Sequence, residues 1–195
     1  ASEREYAADE NIRNSTRATD FITPKSEVSR LFRDAVLELS KRHAFARALV
    51  NSGRLSVPST LRESTLNTPD VDAFEGPMVP GAAAPDAPRA GADARAGWLL
   101  RELSPPAGAA TRFTALVFGD GAEAERSLAA LARADVALHI VRVPPGSTGE
   151  LAARRYHARP GTVYLLRPDQ HVCARWRAPT PPAVRAAPGR ALPKG

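Results

Sequence analysis

The chain has 195 residues, a net charge of +6 and a sequence pI of about 10.2. Lysine occurs only at positions 25, 41 and 194, and the arginines are scattered among acidic residues. Nucleic-acid-binding domains concentrate positive charge on one face, often with aromatic residues between, so this composition argues against such a partner. The single cysteine, Cys173, excludes a disulfide framework and a zinc knuckle. No apolar run approaches the ~20 residues that cross a bilayer. The polar N-terminus then predicts a cytoplasmic protein without a membrane partner.

Helical patterns occupy residues 1–53. Residues 2–15 suit a polar helix whose packing partner is missing, because Ile12 is their only large aliphatic residue. A second helix is predicted from Pro24 to Lys41, and a third over residues 44–50, followed by a glycine cap at Gly53. The second helix repeats apolar residues at helical spacing: Val28, Leu31, Phe32, Ala35, Val36 and Leu39. These helices offer one apolar stripe and little to bury it against.

Residues 54–96, which we call the strap, show no periodic pattern. Prolines stand at positions 58, 69, 77, 80, 85 and 88. The segment is longer than the ~12 to 15 residues of ordinary connections. Two interpretations are open: a disordered linker, or an extended segment laid across another surface and anchored by Phe74, Met78 and Val79. We favour the second within a larger protein, and we expect residues 1–95 to be loosely held in this chain alone.

From residue 97 the pattern predicts an α/β domain. Strands are expected at 98–103, 113–118 and 136–143, helices at 122–133, 148–156 and 181–192, and a β-hairpin over 162–176. Pro188 should break or shorten the last helix. The order β-β-α-β-α-β-β-α is that of a thioredoxin-like domain. Its predicted core consists of Trp98, Phe113, Leu116, Phe118, Leu128, Leu138, Ile140, Val163, Leu165, Val172 and Trp176.

The hairpin is the strongest local signal. Pro168 and Asp169 suit the centre of a type I turn, and Gln170 is expected in a left-handed conformation, closing a three-residue loop. This loop predicts pairing of Arg167 with His171 and then of successive residues outward: Leu166 with Val172, Leu165 with Cys173, Tyr164 with Ala174. One face would carry Tyr164, Leu166, Val172, Ala174 and Trp176. The other would carry Val163, Leu165, Arg167, His171, Cys173 and Arg175.

The position that carries the redox dithiol in thioredoxin-like domains contains no cysteine. That position follows the first strand of the β-α-β unit, where the sequence is Gly119-Asp120-Gly121-Ala122-Glu123. Disulfide exchange and peroxidase chemistry need a thiolate there, so both are excluded in their usual form. The two glycines lack the third glycine of a dinucleotide fingerprint and the lysine of a P-loop. They predict an ordinary strand-to-helix turn.

Other candidate sites are weak. His171 and Cys173 stand two residues apart and could offer two metal ligands, but His43, His139 and His157 are isolated, so no metal site is predicted. Arg154, Arg155 and Arg159 form a basic cluster expected to be solvated or paired with Glu150. No G-x-S-x-G nucleophile elbow occurs. The sequence therefore predicts no catalytic, cofactor-binding or metal-binding residue.

Four stretches resemble one enzyme family. Ser2-Glu3-Arg4 with Ala7-Ala8 resembles an E-R-x-x-A helix, and Gly53-Arg54-Leu55-Ser56 with Ser64-Thr65-Leu66-Asn67 resembles the segment that follows it. The run from Pro80 to Ala87 resembles a P-G-x-R-x-P-D-x strap with Ala83 in place of arginine. The run from Arg167 to Val172, with Arg175-Trp176, resembles an R-P-D-G-H-V-x-W hairpin with Gln170 in place of glycine. The chain resembles the C-terminal part of an FAD-dependent aromatic-ring hydroxylase of the phenol hydroxylase and 3-(3-hydroxyphenyl)propionate hydroxylase type.

This resemblance implies a domain arrangement and a parent activity. Residues 1–53 would be the helical tail of the flavin and substrate domains, 54–96 the strap or a linker, and 97–195 a thioredoxin-like domain without a dithiol. The parent would use FAD and NAD(P)H to hydroxylate a phenolic ring. This segment would be structural and would form a homodimer through its C-terminal domain.

The flavin-binding motifs of that family are absent from the sequence. Neither a G-x-G-x-x-G turn nor a D-G motif of the family is present. Gly119-Asp120 lies in the tail domain and is therefore not the G-D motif of the family's flavin site. No cofactor is therefore expected on this segment alone, and the aromatic substrate would need the missing part. The alternative is a stand-alone thioredoxin-like interaction module without activity. A thiol enzyme would need Cys173 to be exposed with a depressed pKa.

Overall fold

The computed structural model describes residues 2–50, 57–88, 97–104, 111–119, 122–132, 136–145 and 147–191. The chain divides into two compact units, Ala1–Ser59 and Thr60–Gly195. None of the described helices is both long and apolar enough to cross a membrane.

The first unit is helical. It contains α1 (Ser2–Ile22), α2 (Glu27–Ser40) and α3 (Ala44–Val50). Ser26 caps α2, because its hydroxyl accepts the Ser29 N–H at 3.1 Å. Among the described residues of this unit only Val36 and Ala46 are buried hydrophobics. The predicted stripe is present and largely exposed: Val28, Leu31, Phe32 and Leu39, with Phe45 and Leu49 on α3.

The second unit is built on a four-stranded sheet. Its elements are α4 (Leu99–Leu103), β1 (Phe113–Phe118), α5 (Ala122–Ala132), β2 (Leu138–Val143), α6 (Ser147–Arg155), β3 (Val163–Leu166), β4 (Val172–Trp176), α7 (Pro181–Ala186) and α8 (Pro188–Ala191). The strand order is β2-β1-β3-β4. β1 runs parallel to β2, and β3 runs antiparallel to both β1 and β4. The predicted α/β fold is confirmed, and its mixed four-stranded sheet is compatible with a thioredoxin-like domain. The last helix is interrupted at Pro188 as expected.

The strand predicted at 98–103 is wrong. Leu99–Leu103 is the short helix α4, and Trp98 makes only an isolated bridge to Pro88. The reason is a contact distant in sequence: the carboxylate of Asp86 accepts the Leu100 N–H at 3.0 Å and so satisfies the start of the helix.

Two apolar clusters, one on each face of the sheet, form the core. Every residue of β1 is buried, so this strand contributes to both clusters. Most of the predicted core is buried, but Trp98 is 56% exposed. Leu138 and Ile140 are half-buried, because β2 is an edge strand.

The predicted hairpin register is wrong beyond one pair. Leu166 lies opposite Val172 as expected, but a bulge follows, and the next pairs are Leu165 with Ala174, Tyr164 with Arg175 and Val163 with Trp176. The extra residue, Cys173, reverses the faces of the outer strand. Ala174 and Trp176 therefore join the cluster of Val163 and Leu165. Gln170 has φ 65°, which confirms its predicted left-handed conformation.

The strap covers the outer edge of β4. Gly81 donates to the Val172 carbonyl at 2.7 Å, and the Val172 N–H donates to Ala82 at 2.8 Å. Thr68 bonds Cys173 and Ala84 bonds Gln170 in the same way. Of the expected anchors, Met78 is buried, and Phe74 and Val79 are partly buried against the apolar cluster that contains Leu116 and Tyr164. The surface that receives the strap is thus the sheet of its own chain.

Candidate functional site

A cleft opens where thioredoxin-like domains carry their redox site. We call it the β1 cleft. Gly119 follows β1, and its N–H donates to Val143 at 2.9 Å, while Gly161 before β3 donates to Phe118 at 2.7 Å. The cleft has a volume of about 420 Å³. It lies at the carboxyl ends of two parallel strands, where open α/β sheets commonly bind ligands.

The side chains that line the β1 cleft offer little chemistry. Among the described residues they are Gly119, Glu123, Ala124, Pro145, Pro160, Gly161, Arg177, Ala178 and Pro179. None of these carries a thiol, a hydroxyl or an imidazole, so they supply no thiol or hydroxyl nucleophile and no histidine base, and Glu123 is the one carboxylate among them. Asp120 and Gly121, which belong to the predicted turn, lie outside the described residues.

Gly119 is suited to a strand-to-helix turn rather than to a phosphate. Its φ is 73°, and a Cβ at this position would lie 3.0 Å from Pro160 Cβ and 3.1 Å from Pro160 Cα. The Gly119 N–H already donates to the Val143 carbonyl at 2.9 Å and is therefore not available to a diphosphate. The described residues around this turn do not fit FAD.

Cys173 is not a reactive thiol. Its side chain is buried, with Sγ 3.9 Å from the Leu66 carbonyl oxygen and 3.8 Å from that of Ala187. Burial raises the pKa of the thiol to about 11, despite the opposing charge of Arg167. A thiolate nucleophile needs the opposite environment, so the interpretation as a thiol enzyme is wrong.

The structure does not bring histidine and cysteine together as metal ligands. Cys173 is buried in the core beside Val163 and Leu165, whereas His171 Nδ1 lies 3.4 Å from Asp169 Oδ1. The pKa of His139 is lowered, chiefly by burial and then by the nearby charge of Arg112. Within the described ranges no group of three or more His, Cys, Asp or Glu side chains could hold a metal ion.

The most developed polar arrangement was not predicted from the sequence. Arg175 is buried, and its guanidinium donates to both carboxylate oxygens of Asp70, at 2.9 and 2.6 Å. It also donates to the Met78 carbonyl and lies 4.2 Å from the centre of the Phe74 ring. This bidentate, charge-assisted pair joins β4 to the strap.

Arg177 makes a second connection beside the first. Its backbone N–H donates to Asp72 Oδ2 at 2.7 Å, and its guanidinium lies 4.0 Å from the centre of the Phe74 ring. The same side chain donates to the His157 carbonyl at 2.8 Å. Asp70 and Asp72 thus bind the strap to the hairpin. Their partners could be identified only once the bulged register of the hairpin was known.

Two buried tyrosines support the strap from below. Tyr156 donates to the Pro85 carbonyl at 3.0 Å, and Tyr164 donates to the Tyr156 carbonyl. Burial raises the pKa of both phenols, so they remain protonated donors and are unsuited to act as bases. Of the predicted basic cluster, Arg154 and Arg159 are exposed, whereas Arg155 donates to the Asp86 carbonyl.

Comparison with known proteins finds similar folds in solved structures of flavoenzymes. No protein-family model matches the sequence, and the search of curated proteins finds no significant match. The structure is similar to that of the rebeccamycin biosynthetic enzyme RebC with reduced flavin (TM-score 0.59, 20% identity, 97% of this chain and 35% of that one). It is also similar to the flavin-dependent monooxygenase PieE in complex with FAD and substrate (TM-score 0.53, 18% identity, 88% and 30%).

These matches establish a shared fold. The chain spans only 30–35% of the length of the solved structures that it resembles. Identities of 18–20% lie too low to carry activity across by themselves.

Proposed function

We propose that the chain is the C-terminal portion of a flavin-dependent monooxygenase and that it is a structural segment of that enzyme. The parent would use FAD and NAD(P)H to hydroxylate a phenolic or other aromatic ring. The observation that carries this proposal is the similarity to RebC over 97% of the chain, a share that includes the helices, the strap and the tail domain. A shared thioredoxin-like domain alone would have matched only the last part.

The local details agree with the family resemblance. Gln170, at the position where the family hairpin has glycine, adopts the positive φ that glycine accommodates most easily. The strap motif at residues 80–87 supplies both the bonds to the β4 edge and, through Asp86, the cap of α4. Both motifs thus occupy positions where they determine structure.

A structural role is favoured over a catalytic one for this segment. The described lining of the β1 cleft has no thiol or hydroxyl nucleophile, Cys173 is buried with a raised pKa, and the Gly119 N–H is already bonded to the Val143 carbonyl. FAD would supply oxygen activation in the parent, on residues outside this sequence.

The first unit also favours a larger parent. Its helices leave Leu31, Phe32, Phe45 and Leu49 more than 60% exposed. Soluble domains rarely present so many large apolar side chains without a partner surface. In the proposed parent this stripe packs against the preceding domains.

A flavin measurement tests the proposal. The purified chain should be colourless, and added FAD should not shift its thermal transition. A product extended to include the coding sequence upstream of Ala1 should be yellow and should oxidise NAD(P)H with an aromatic substrate.

Two outcomes would overturn this proposal. Stoichiometric flavin on the chain alone would contradict the structural role. An upstream sequence that encodes no flavin domain would favour the alternative of a stand-alone interaction module, for which the exposed stripe of α2 and α3 would be the binding surface.

A further inference from the structure

The two edges of the sheet are treated differently. The strap covers the β4 edge with backbone hydrogen bonds. At the other edge, the carbonyls of Ala137 and Val143 accept hydrogen bonds from Phe113 and Gly119, both at 2.9 Å. Because backbone groups alternate sides along a strand, the odd-numbered residues from 137 to 143 direct their N–H and C=O groups toward β1. In a parallel pair the intervening residues then direct their N–H and C=O groups away from the sheet.

Leu138 and Ile140 therefore direct backbone groups toward an edge that is open among the described residues. No described residue outside the strand bonds their backbone. Leu138, His139 and Ile140 are half-buried, whereas all residues of β1, β3 and β4 are buried. A strand edge with outward amides and apolar side chains is a template for another strand.

We propose that the β2 edge binds the β2 edge of a second copy of this chain, antiparallel and about a two-fold axis at Ile140. Two four-stranded sheets would become one continuous sheet. The inference rests on the structural role under the proposed function and adds a partner, a second copy of the chain, and the surface that binds it. Ile140 is chosen because it lies near the middle of β2 and directs its backbone outward.

The sequence of β2 is compatible with this self-pairing. The axis places Ile140 opposite its own copy, and Leu138 opposite Arg142 of the second copy. No two like charges are then directly opposed, and Glu125 already compensates Arg142 within each chain. A symmetric pairing of this kind closes as a dimer and leaves no further edge of the same type.

The expected association is weak, because a single strand pair buries less than the ~1,200 Å² of a standard interface. Sedimentation of the purified chain should therefore show a monomer–dimer equilibrium between about 10 μM and 1 mM. Hydrogen exchange provides the residue-level signature. Amides of Leu138 and Ile140 should gain protection as concentration rises, whereas Val141, bonded to β1, should be protected throughout.

A charge-exchange experiment isolates the axis. Ile140→Lys and Ile140→Glu should each raise the dissociation constant about tenfold or more, since each sets like charges opposite one another. An equimolar mixture of the two variants should associate again as a heterodimer. Because both variants lose the same half-buried side chain, any loss of stability is common to them and cannot explain recovery on mixing.

The matched control is Val71→Lys, at a strap position that is 80% exposed, which should leave association unchanged. A chain that stays monomeric at every concentration, or a mixture that fails to recover, would overturn the proposal. Loss of association in Val28→Lys but not in Ile140→Lys would assign self-association to the α2 stripe instead. None of these results affects the flavin measurement, so the two proposals fail separately.

Discussion

The two edges of the sheet differ in how the outward backbone N–H and C=O groups of the edge strand are covered. On the β4 side the strap supplies hydrogen bonds, a buried arginine–carboxylate pair and aromatic contacts. On the β2 side the described residues leave the edge strand half-buried. The strap contains Pro80, Pro85 and Pro88, and proline cannot donate to a further strand. A proline-rich segment thus closes an edge without creating a new one.

The strap side depends on contacts that are remote in sequence. Arg175 and Asp70 are 105 positions apart, and Tyr156 and Pro85 are 71 positions apart. Substitutions that break these contacts should therefore loosen the strap and the β4 edge, while the amides at the centre of the sheet stay protected from hydrogen exchange.

The largest expected effect is that of Gly81→Ala. Gly81 has φ 88°, and a Cβ there would lie 2.2 Å from the Leu61 carbonyl oxygen. The strained backbone and the clash together should lower the free energy of unfolding by about 3 kcal/mol. Chemical denaturation measures the loss, and hydrogen exchange should show that Val172 loses protection before Leu116.

The control for this substitution is Gly189→Ala, where a Cβ would meet nothing within 4 Å. Gly189 lies in α8, so alanine there should be neutral or stabilising by up to about 1 kcal/mol. Equal losses at the two positions would show that the strap is not specifically held at Gly81.

Asp70→Ala should have the next largest effect. It leaves the buried guanidinium of Arg175 without its carboxylate, and because Asp70 is 27% exposed the expected loss is about 2 kcal/mol rather than that of a fully buried pair. Glu125→Ala, which removes the exposed pair with Arg142, is the control and should change the denaturation midpoint much less.

Alkylation of Cys173 gives a second measurement of the same change. Leu66 contacts the thiol, so a loosened strap should accelerate labelling in Asp70→Ala. An unchanged labelling rate together with unchanged stability would mean that the Arg175–Asp70 pair does not hold the strap.

Local sequence patterns predicted those parts of the fold that depend on near neighbours. The runs at 113–118 and 163–166, the turn at Pro168-Asp169 and the position of Gln170 all follow from side-chain pattern and turn chemistry. That the chain has no redox dithiol after β1 follows from the sequence itself, because residues 119–123 contain no cysteine.

Features set by remote contacts were not predictable in the same way. Helix α4 replaces the expected strand because Asp86 caps it from 14 positions away. The bulge at Cys173 directs Arg175 toward the strap, and no local pattern distinguishes that register from the regular one. The arginine–carboxylate site could therefore be found only with the sheet in place.

Acid should weaken the hairpin end of the covered edge. Burial alone would raise the pKa of Asp169, but hydrogen bonds from His171 and the charge of Arg167 outweigh it and hold the pKa well below its usual range. The unfolded chain then binds more protons below about pH 4, so the stabilisation is present above that pH and is lost as pH falls. Asp169→Asn should lose about 1 kcal/mol at pH 7, since solvent screens this exposed carboxyl, and the difference from the unsubstituted chain should be smaller at pH 2 than at pH 7. Denaturation at both pH values checks this, and a difference that does not shrink in acid would contradict the assignment.

The smallest expected effect is that of Gln170→Gly, in the loop where β4 begins. The φ of 65° is strained for glutamine and free for glycine, although glycine also gains entropy in the unfolded chain and loses the side-chain bond to Ser104 at 2.9 Å. These contributions nearly cancel, so the variant should be neutral or slightly more stable. The backbone bond from Ala84 to the Gln170 carbonyl needs no side chain, and the strap should remain protected from exchange. A loss above about 1 kcal/mol would mean that the Gln170 side chain, rather than the backbone of its loop, fastens this end of the strap.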